Sequence, residues 1–253
     1  MPSDEAGQVD VAVAGCDADM VPVRLATGNT LHVDRTPVTV GAFAVFAKAV
    51  DYTTEAEGFG NAAVFDFEQR AWTLVEGATY LAPFGKTAGN APEDHPATQV
   101  SFRDASSYCA YYGKRLPTEE EWEAAARYKQ PAGTTQYPWG DSIRRAQVYQ
   151  ANVWQGIFPV DMRVEDGYAF TSPVGTYPAA PSGLVDMAGN VWEWTTEVSD
   201  APPLPGEQPH RIAKGGSFLC EPSWCHGYLI EGSTHTSPET GLFHTGFRCV
   251  CEG

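Results

Sequence analysis

Positive charge is scarce in this chain. Sixteen lysines and arginines stand against 32 aspartates and glutamates, a formal net charge of −16 at pH 7. A polyanion would be repelled, which excludes nucleic acid and an anionic membrane surface as partners. No run of 18 apolar residues occurs, so no membrane-spanning helix is expected. The opening Met1-Pro2-Ser3-Asp4-Glu5 lacks the basic and long apolar stretches of a secretory leader, and a cytoplasmic location is the expectation. Cysteine is also sparse: six in 253 residues are too few for a disulfide-built scaffold at this length. Aromatic residues are plentiful. Seven Trp, twelve Phe and eleven Tyr supply a core and exclude a disordered chain.

Local patterns divide the chain into a small, acidic lead-in over residues 1–20 and a single domain over 21–253. Val21 to Leu25 alternates as a strand, and Thr30 to Val33 forms its hairpin partner. Val40, Phe43, Phe46, Ala47 and Val50 fall on one helical face behind Thr39 as N-cap. Ser101 opens a second helix that Gly113 closes. Thr118-Glu-Glu-Glu121 is a capping box for a short helix to about Arg127. Residues 51–94 read as irregular, and after residue 130 Gly, Pro, Asn and aromatic residues dominate, with short strand-like runs at Ser217 to Leu219 and Gly246 to Val250. Few helices in a long, loop-rich, aromatic framework predict one α+β domain. Such loops need something to satisfy their polar groups, and bound metal ions are a simple answer.

The cysteines are at 16, 109, 220, 225, 249 and 251. Cys249 and Cys251 share one face of a strand, roughly 6.6 Å apart, near the far limit for a bridge, so each is expected to pair elsewhere or not at all. Cys220 and Cys225 are spaced C-x4-C and are open to three readings: a local disulfide, buried thiols or metal ligands.

Gly113-Lys-Arg-Leu-Pro-Thr-Glu-Glu-Glu-Trp122, Tyr137-Pro-Trp-Gly140, Asn152-Val-Trp-Gln-Gly156, Gly189-Asn-Val-Trp-Glu-Trp194, Lys214-Gly-Gly-Ser217 and Gly246-Phe-Arg248 occur in that order. Together they resemble the formylglycine-generating enzyme, or sulfatase-modifying factor, family over roughly residues 21–250. The resemblance implies a C-type-lectin-like fold of α+β class with little regular secondary structure. Fold alone does not settle activity, because the superfamily also holds iron enzymes and pure binding proteins.

Within the resemblance, Cys220 and Cys225 match two cysteines that bind copper(I), joined by a substrate thiolate that O2 then oxidises at its β-carbon to an aldehyde. The ion is soft, prefers thiolates and tolerates two-coordinate geometry, which leaves room for a third thiolate. Ser217 matches an active-site serine that would orient oxygen or solvent, and Trp192 an aromatic beside it; their alternatives are a backbone-bonded serine and a structural tryptophan. Two structural calcium sites are implied as well. The first takes Asn152 and Asp166 with the carbonyls of Val153 and Tyr168, the second Asp186 and Glu193 with the carbonyls of Gly189 and Val191. The resemblance also pairs Cys109 with Cys249. A Cys16–Cys251 bridge is geometrically possible.

The chain departs from the family pattern after Cys225. His226-Gly-Tyr-Leu-Ile-Glu-Gly-Ser-Thr-His-Thr stands where an arginine-rich stretch is usual, so Leu229 and Ser233 replace arginines and Thr236 an asparagine. Phe59-Gly-Asn61-Ala62 replaces Gly-Asp-Ser. A lost arginine fork cannot be replaced by leucine, so the metal ligands are kept while the substrate groove is rebuilt. The expected function is a copper-dependent, O2-using thiol oxidase whose substrate, a small thiol or a cysteine of a peptide or carrier, differs from the sulfatase peptide. His226, His235 and His244 are candidates for substrate contact or acid–base work. The alternative is a lectin-like binding module with a Cys220–Cys225 disulfide.

Overall fold

A computed structural model describes residues 16–130, 136–203, 206 and 208–253. The expected lead-in lies outside the described residues as far as residue 15. The first half comprises β1 (Val21–Arg24), β2 (Thr30–Val33), α1 (Val40–Val50), α2 (Glu55–Phe59), β3 (Asn61–Asp66), β4 (Ala71–Glu76), α3 (Phe102–Tyr111) and α4 (Glu119–Arg127). Short strands follow: β5 (Arg144–Arg145), β6 (Val148–Tyr149), β7 (Gln155–Ile157), β8 (Asp161–Arg163), β9 (Trp192–Val198), β10 (Arg211–Lys214), β11 (Ser233–Thr236), β12 (Thr245–Gly246) and β13 (Val250–Glu252). The architecture is the loop-rich α+β expected. Among the described residues no helix is long and apolar enough to cross a membrane.

The helices start where side-chain chemistry starts them. Thr39, Ser101 and Thr118 each accept from a backbone N–H in the first turn of α1, α3 and α4, and the last two complete capping boxes with Asp104 and Glu121. Each cap contributes about 1 kcal/mol. Phe43 and Phe46 of α1 bury their rings against Tyr108 of α3, at centroid distances of 5.7 and 5.4 Å. Each fully buried ring contributes about 1.5–3 kcal/mol. The Cys109–Cys249 bridge ties α3 into the same core.

Two sheets carry the rest. One has the order β1-β2-β13, the other β11-β10-β9-β12, with β12 parallel to β9. Gly246 to Val250, expected as one strand, passes from the second sheet to the first: Phe247 O accepts from Val38 N–H and Cys249 O from Asp34 N–H on the way. Two further expectations are corrected. Residues 51–94 contain α2 and the β3–β4 hairpin, and Ser217 to Leu219 is not a strand. The strand there is β10, and Gly215 and Gly216 end it at φ of 92° and 72°, where no ladder continues.

Candidate active site

The two glycines after β10 build the site. A Cβ on Gly216 would meet Tyr228 N at 2.5 Å, so only glycine lets the 227–228 backbone close over the strand end. Cys220 N–H donates to Ser217 O at 2.9 Å, and Cys225 N–H to Glu221 O at 2.8 Å. The bend between the cysteines is held by the Glu221 carboxylate, which accepts from Ser223 N–H at 2.9 Å and from the Ser223 hydroxyl. The outcome is that the sulfurs of Cys220 and Cys225 are bonded to each other, their Cα atoms 4.8 Å apart. Cys220 is buried and Cys225 half-buried.

These sulfurs lie on the wall of a cavity of about 620 Å³ that Ser217, Trp192 and His244 also line. Ser217 is fully buried, and its Oγ accepts from Leu219 N–H. Trp192 is packed beside the cysteines: a Cβ on Gly227 would lie 2.1 Å from the indole and 3.0 Å from Cys225 Sγ. The four residues expected at the catalytic centre therefore meet. Of the three candidate histidines, His226 and His244 line the cavity, whereas His235 sits on β11 and pairs with Ser199 Oγ. Burial pushes His244 down to about 3, so its imidazole is neutral at pH 7, and its buried Nδ1 has no hydrogen-bond partner.

Leu229 and Ser233 line the same cavity, and no lysine or arginine does among the described residues. Much of the remaining lining is aromatic, with Glu231 and Thr234 as polar members. Trp72, Phe158 and Trp224 were missed in the sequence; Trp224 is 72% exposed, its ring tilted against that of Phe158 at a centroid distance of 5.6 Å. A tryptophan inside a C-x4-C loop, with no partner at helical or strand spacing, was the available signal.

The two expected calcium loops differ. In the first, Asn152 Nδ2 donates to Phe170 O at 2.7 Å and to Asn190 Oδ1 at 3.2 Å, while its Oδ1 is buried with no partner. Asp166 accepts from Tyr168 N–H and from Tyr177 Oη. The buried, unpartnered Asn152 Oδ1 is an oxygen donor of the kind a hard cation takes, while both Asp166 oxygens and the Val153 carbonyl, which accepts from Gln155 Nε2 at 3.3 Å, already hold hydrogen bonds. In the second loop both oxygens of Glu193 are taken. Arg248 Nε and Nη2 donate to them at 2.7 Å each, and Trp122 Nε1 donates at 2.7 Å. Asp186 accepts from Gly175 N–H, and burial pushes it up to about 6. The second set does not fit a calcium ion as it stands, because the guanidinium already neutralises Glu193.

The motifs thus converge. Trp122, Glu193, Gly215 and Arg248 come from four separate motifs and meet in one buried cluster; a Cβ on Gly215 would lie 3.0 Å from the Trp122 ring. Lys214, fully buried, anchors β10 to α4 through Glu119 and Glu123 at 3.1 and 2.7 Å.

The chain belongs to the family of the sulfatase-modifying factor enzyme 1-like domain, whose model matches residues 5–252. A formylglycine-generating enzyme of Thermomonospora curvata is 37% identical over 91% of this chain and 85% of its own. An inactive C-alpha-formylglycine-generating enzyme 2 of Bos taurus is 36% identical over 90% and 79%. A hercynine oxygenase of Mycobacterium tuberculosis is 30% identical over 87% of this chain and 55% of its own. Among solved structures, PvdO from Pseudomonas aeruginosa matches with a TM-score of 0.64 at 21% identity, covering 95% of this chain and 90% of that one; that likeness concerns fold alone.

Proposed function

We propose that the chain is an oxidoreductase of the formylglycine-generating type: a copper(I)-dependent, O2-using oxidase of a cysteine-type thiol. The observation that carries this reading is the meeting of the Cys220 and Cys225 sulfurs at an open cavity beside Ser217 and Trp192. Opened by reduction, the two thiolates are the soft donor pair that would hold copper(I), which when bound supplies activation of a third thiolate and of O2. Trp192, pressed against Gly227, fixes the position of Cys225 and keeps water from that side. The Ser217 hydroxyl, buried and lining the cavity, has its proton free to orient a polar group of the reactants. Neutral His244 adds an uncharged hydrogen-bonding edge.

The overall reaction balances as a thiol of form R-CH2-SH plus O2 plus two electrons and two protons giving an aldehyde, hydrogen sulfide and water. Two further thiols supply the electrons by closing a disulfide. The wall of Trp72, Phe158, Trp224 and Leu229 supports an apolar neighbour to the reacting thiol, with the polar Glu231, Ser233 and Thr234 in the same lining, a lining changed from that expected for the sulfatase peptide. Calcium is proposed for the first loop only, as a pin for segments without a ladder of their own.

A second reading, a binding module without turnover, draws on the Cys220–Cys225 bond itself and on the similarity to an inactive relative. One experiment separates the two. Copper(I) is loaded anaerobically onto reduced protein, O2 is added with a panel of thiols and a Cys-x-Pro-x-Arg peptide, and aldehyde is read by mass spectrometry. Aldehyde that vanishes in Cys220→Ala and Cys225→Ala supports the oxidase. Absence of copper binding and of O2 uptake leaves the binding module.

A further inference from the structure

A second group of soft donors lies at the terminal sheet, outside the cavity. His32 on β2 and Cys251 on β13 are directly opposite in the ladder, so both side chains leave the same face. Cys16 is bonded to Cys251, and the two sulfurs and a ring nitrogen of His32 all lie within 4.8 Å of one another. Met20 brings a thioether to the same place, its Sδ 3.5 Å from Cys251 Sγ. His32 Nδ1 is buried and has no hydrogen-bond partner. Gly253 lies over the imidazole, where a Cβ would come within 2.5 Å of Cε1. Cys251 and Met20 are buried, Cys16 and His32 half-buried, so the group is enclosed on one side and reachable from the other.

We propose that reduction of the Cys16–Cys251 bridge converts this corner into a second copper(I) site, formed by the two thiolates and His32 with the Met20 sulfur as a fourth donor. A dithiol reductant gives two electrons and two protons to the bridge, breaks the S–S bond and closes its own disulfide. Binding of the monovalent cation then expels the two thiol protons. Three sulfurs and one imidazole select copper(I) over hard cations such as calcium. The ion ties the segment from Cys16 to Met20 to the last strand as the bridge does, so this end of the chain stays clamped in either redox state.

The test uses the full chain carrying Cys220→Ser and Cys225→Ser, which removes the cavity thiols and makes the outcome independent of the proposed activity. The protein is reduced with a phosphine, desalted anaerobically and titrated with copper(I) against a chromophoric copper(I) chelator. One equivalent is expected in the reduced chain and none in the oxidised one. His32→Ala is expected to weaken binding at least tenfold, Cys251→Ser to abolish it, and X-ray absorption to report both sulfur and nitrogen neighbours. In the chain with its cavity cysteines intact, His32→Ala is expected to release copper(I) more readily from one site only. A reduced chain with unchanged circular dichroism that binds no copper(I) overturns the proposal, as does undiminished binding in Cys251→Ser or His32→Ala.

Discussion

The Arg248 guanidinium grips the Glu193 carboxylate at two points, Nε to Oε2 and Nη2 to Oε1, both 2.7 Å, with neither side chain reaching solvent. Arg248 also donates to the carbonyls of Asp34, Arg35 and Val185, so one side chain joins both sheets to the loop before β9. Removing one partner of such a pair strands the other's charge. Arg248→Met is expected to cost about 3–5 kcal/mol, and Arg248→Lys to recover only part of it, since an ammonium cannot reproduce the fork. Urea denaturation followed by circular dichroism measures both; an unshifted midpoint in Arg248→Met would contradict the assigned role.

Gly227 is the sharpest steric probe of the cavity. Its φ is ordinary, so Gly227→Ala acts only through the added methyl, which would overlap the Trp192 indole. Overpacking of this kind costs about 1–3 kcal/mol, and Cys225 is displaced with the ring. The expected result is a folded protein whose copper(I) affinity drops at least tenfold. Wild-type affinity in the variant would show that Trp192 and Cys225 are not coupled in this way.

Calcium at the first loop predicts a stability response. Added calcium should raise the unfolding temperature of chelator-treated protein, because a ligand bound only by the folded state stabilises it. Asn152→Ala and Asp166→Asn are expected to remove the response, whereas Glu193→Gln should destabilise without removing it. Differential scanning fluorimetry with and without the ion decides; a response that survives Asn152→Ala rules out the first loop.

His244 links stability to pH. Its imidazole is held at about 3 by burial against an ordinary value of 6.5, so between these values the unfolded chain binds more protons than the folded one. Stability rises with pH across that window and is lost as pH falls from 6.5 toward 3, with a contribution approaching about 1.4 kcal/mol per pH unit well below 6.5. Buried Asp186, raised to about 6, works in the opposite direction. The check is therefore the difference between wild type and His244→Gln from pH 4 to 7, which should grow as the pH rises; a pH-independent difference would count against a buried neutral ring.

The three bridges should open in a definite order. Cys109 and Cys249 are both fully buried, whereas Cys225 and Cys16 are half-buried, and exchange needs access to a sulfur. Stepwise phosphine treatment with alkylation and mass spectrometry is expected to label the 220/225 and 16/251 pairs first. Early labelling of Cys109 would reverse that ranking.

Much of this was legible in local sequence. Thr39, Ser101 and Thr118 announce three helices because a cap is satisfied within its own turn. The same signal, Thr54 with Glu57, marks α2 but was overlooked in a stretch that reads as irregular. The β3–β4 hairpin was missed too, although Ala-Ala-Val-Phe and Trp-Thr-Leu-Val flank a turn that Asp66 closes by accepting from Glu68 and Gln69 N–H.

The order of motifs along the chain was enough to identify the family and to single out Cys220, Cys225, Ser217 and Trp192, because spacing and residue type are properties of the chain itself. What surrounds those residues was decided by folding. The aromatic wall of Trp72 and Trp224, the capture of Glu193 by Arg248, and the meeting of Cys16, Met20, His32 and Cys251 each join segments far apart in sequence. A residue's spacing states what it can ligate; only burial and the neighbours brought to it by packing determine whether those lone pairs remain free to do so.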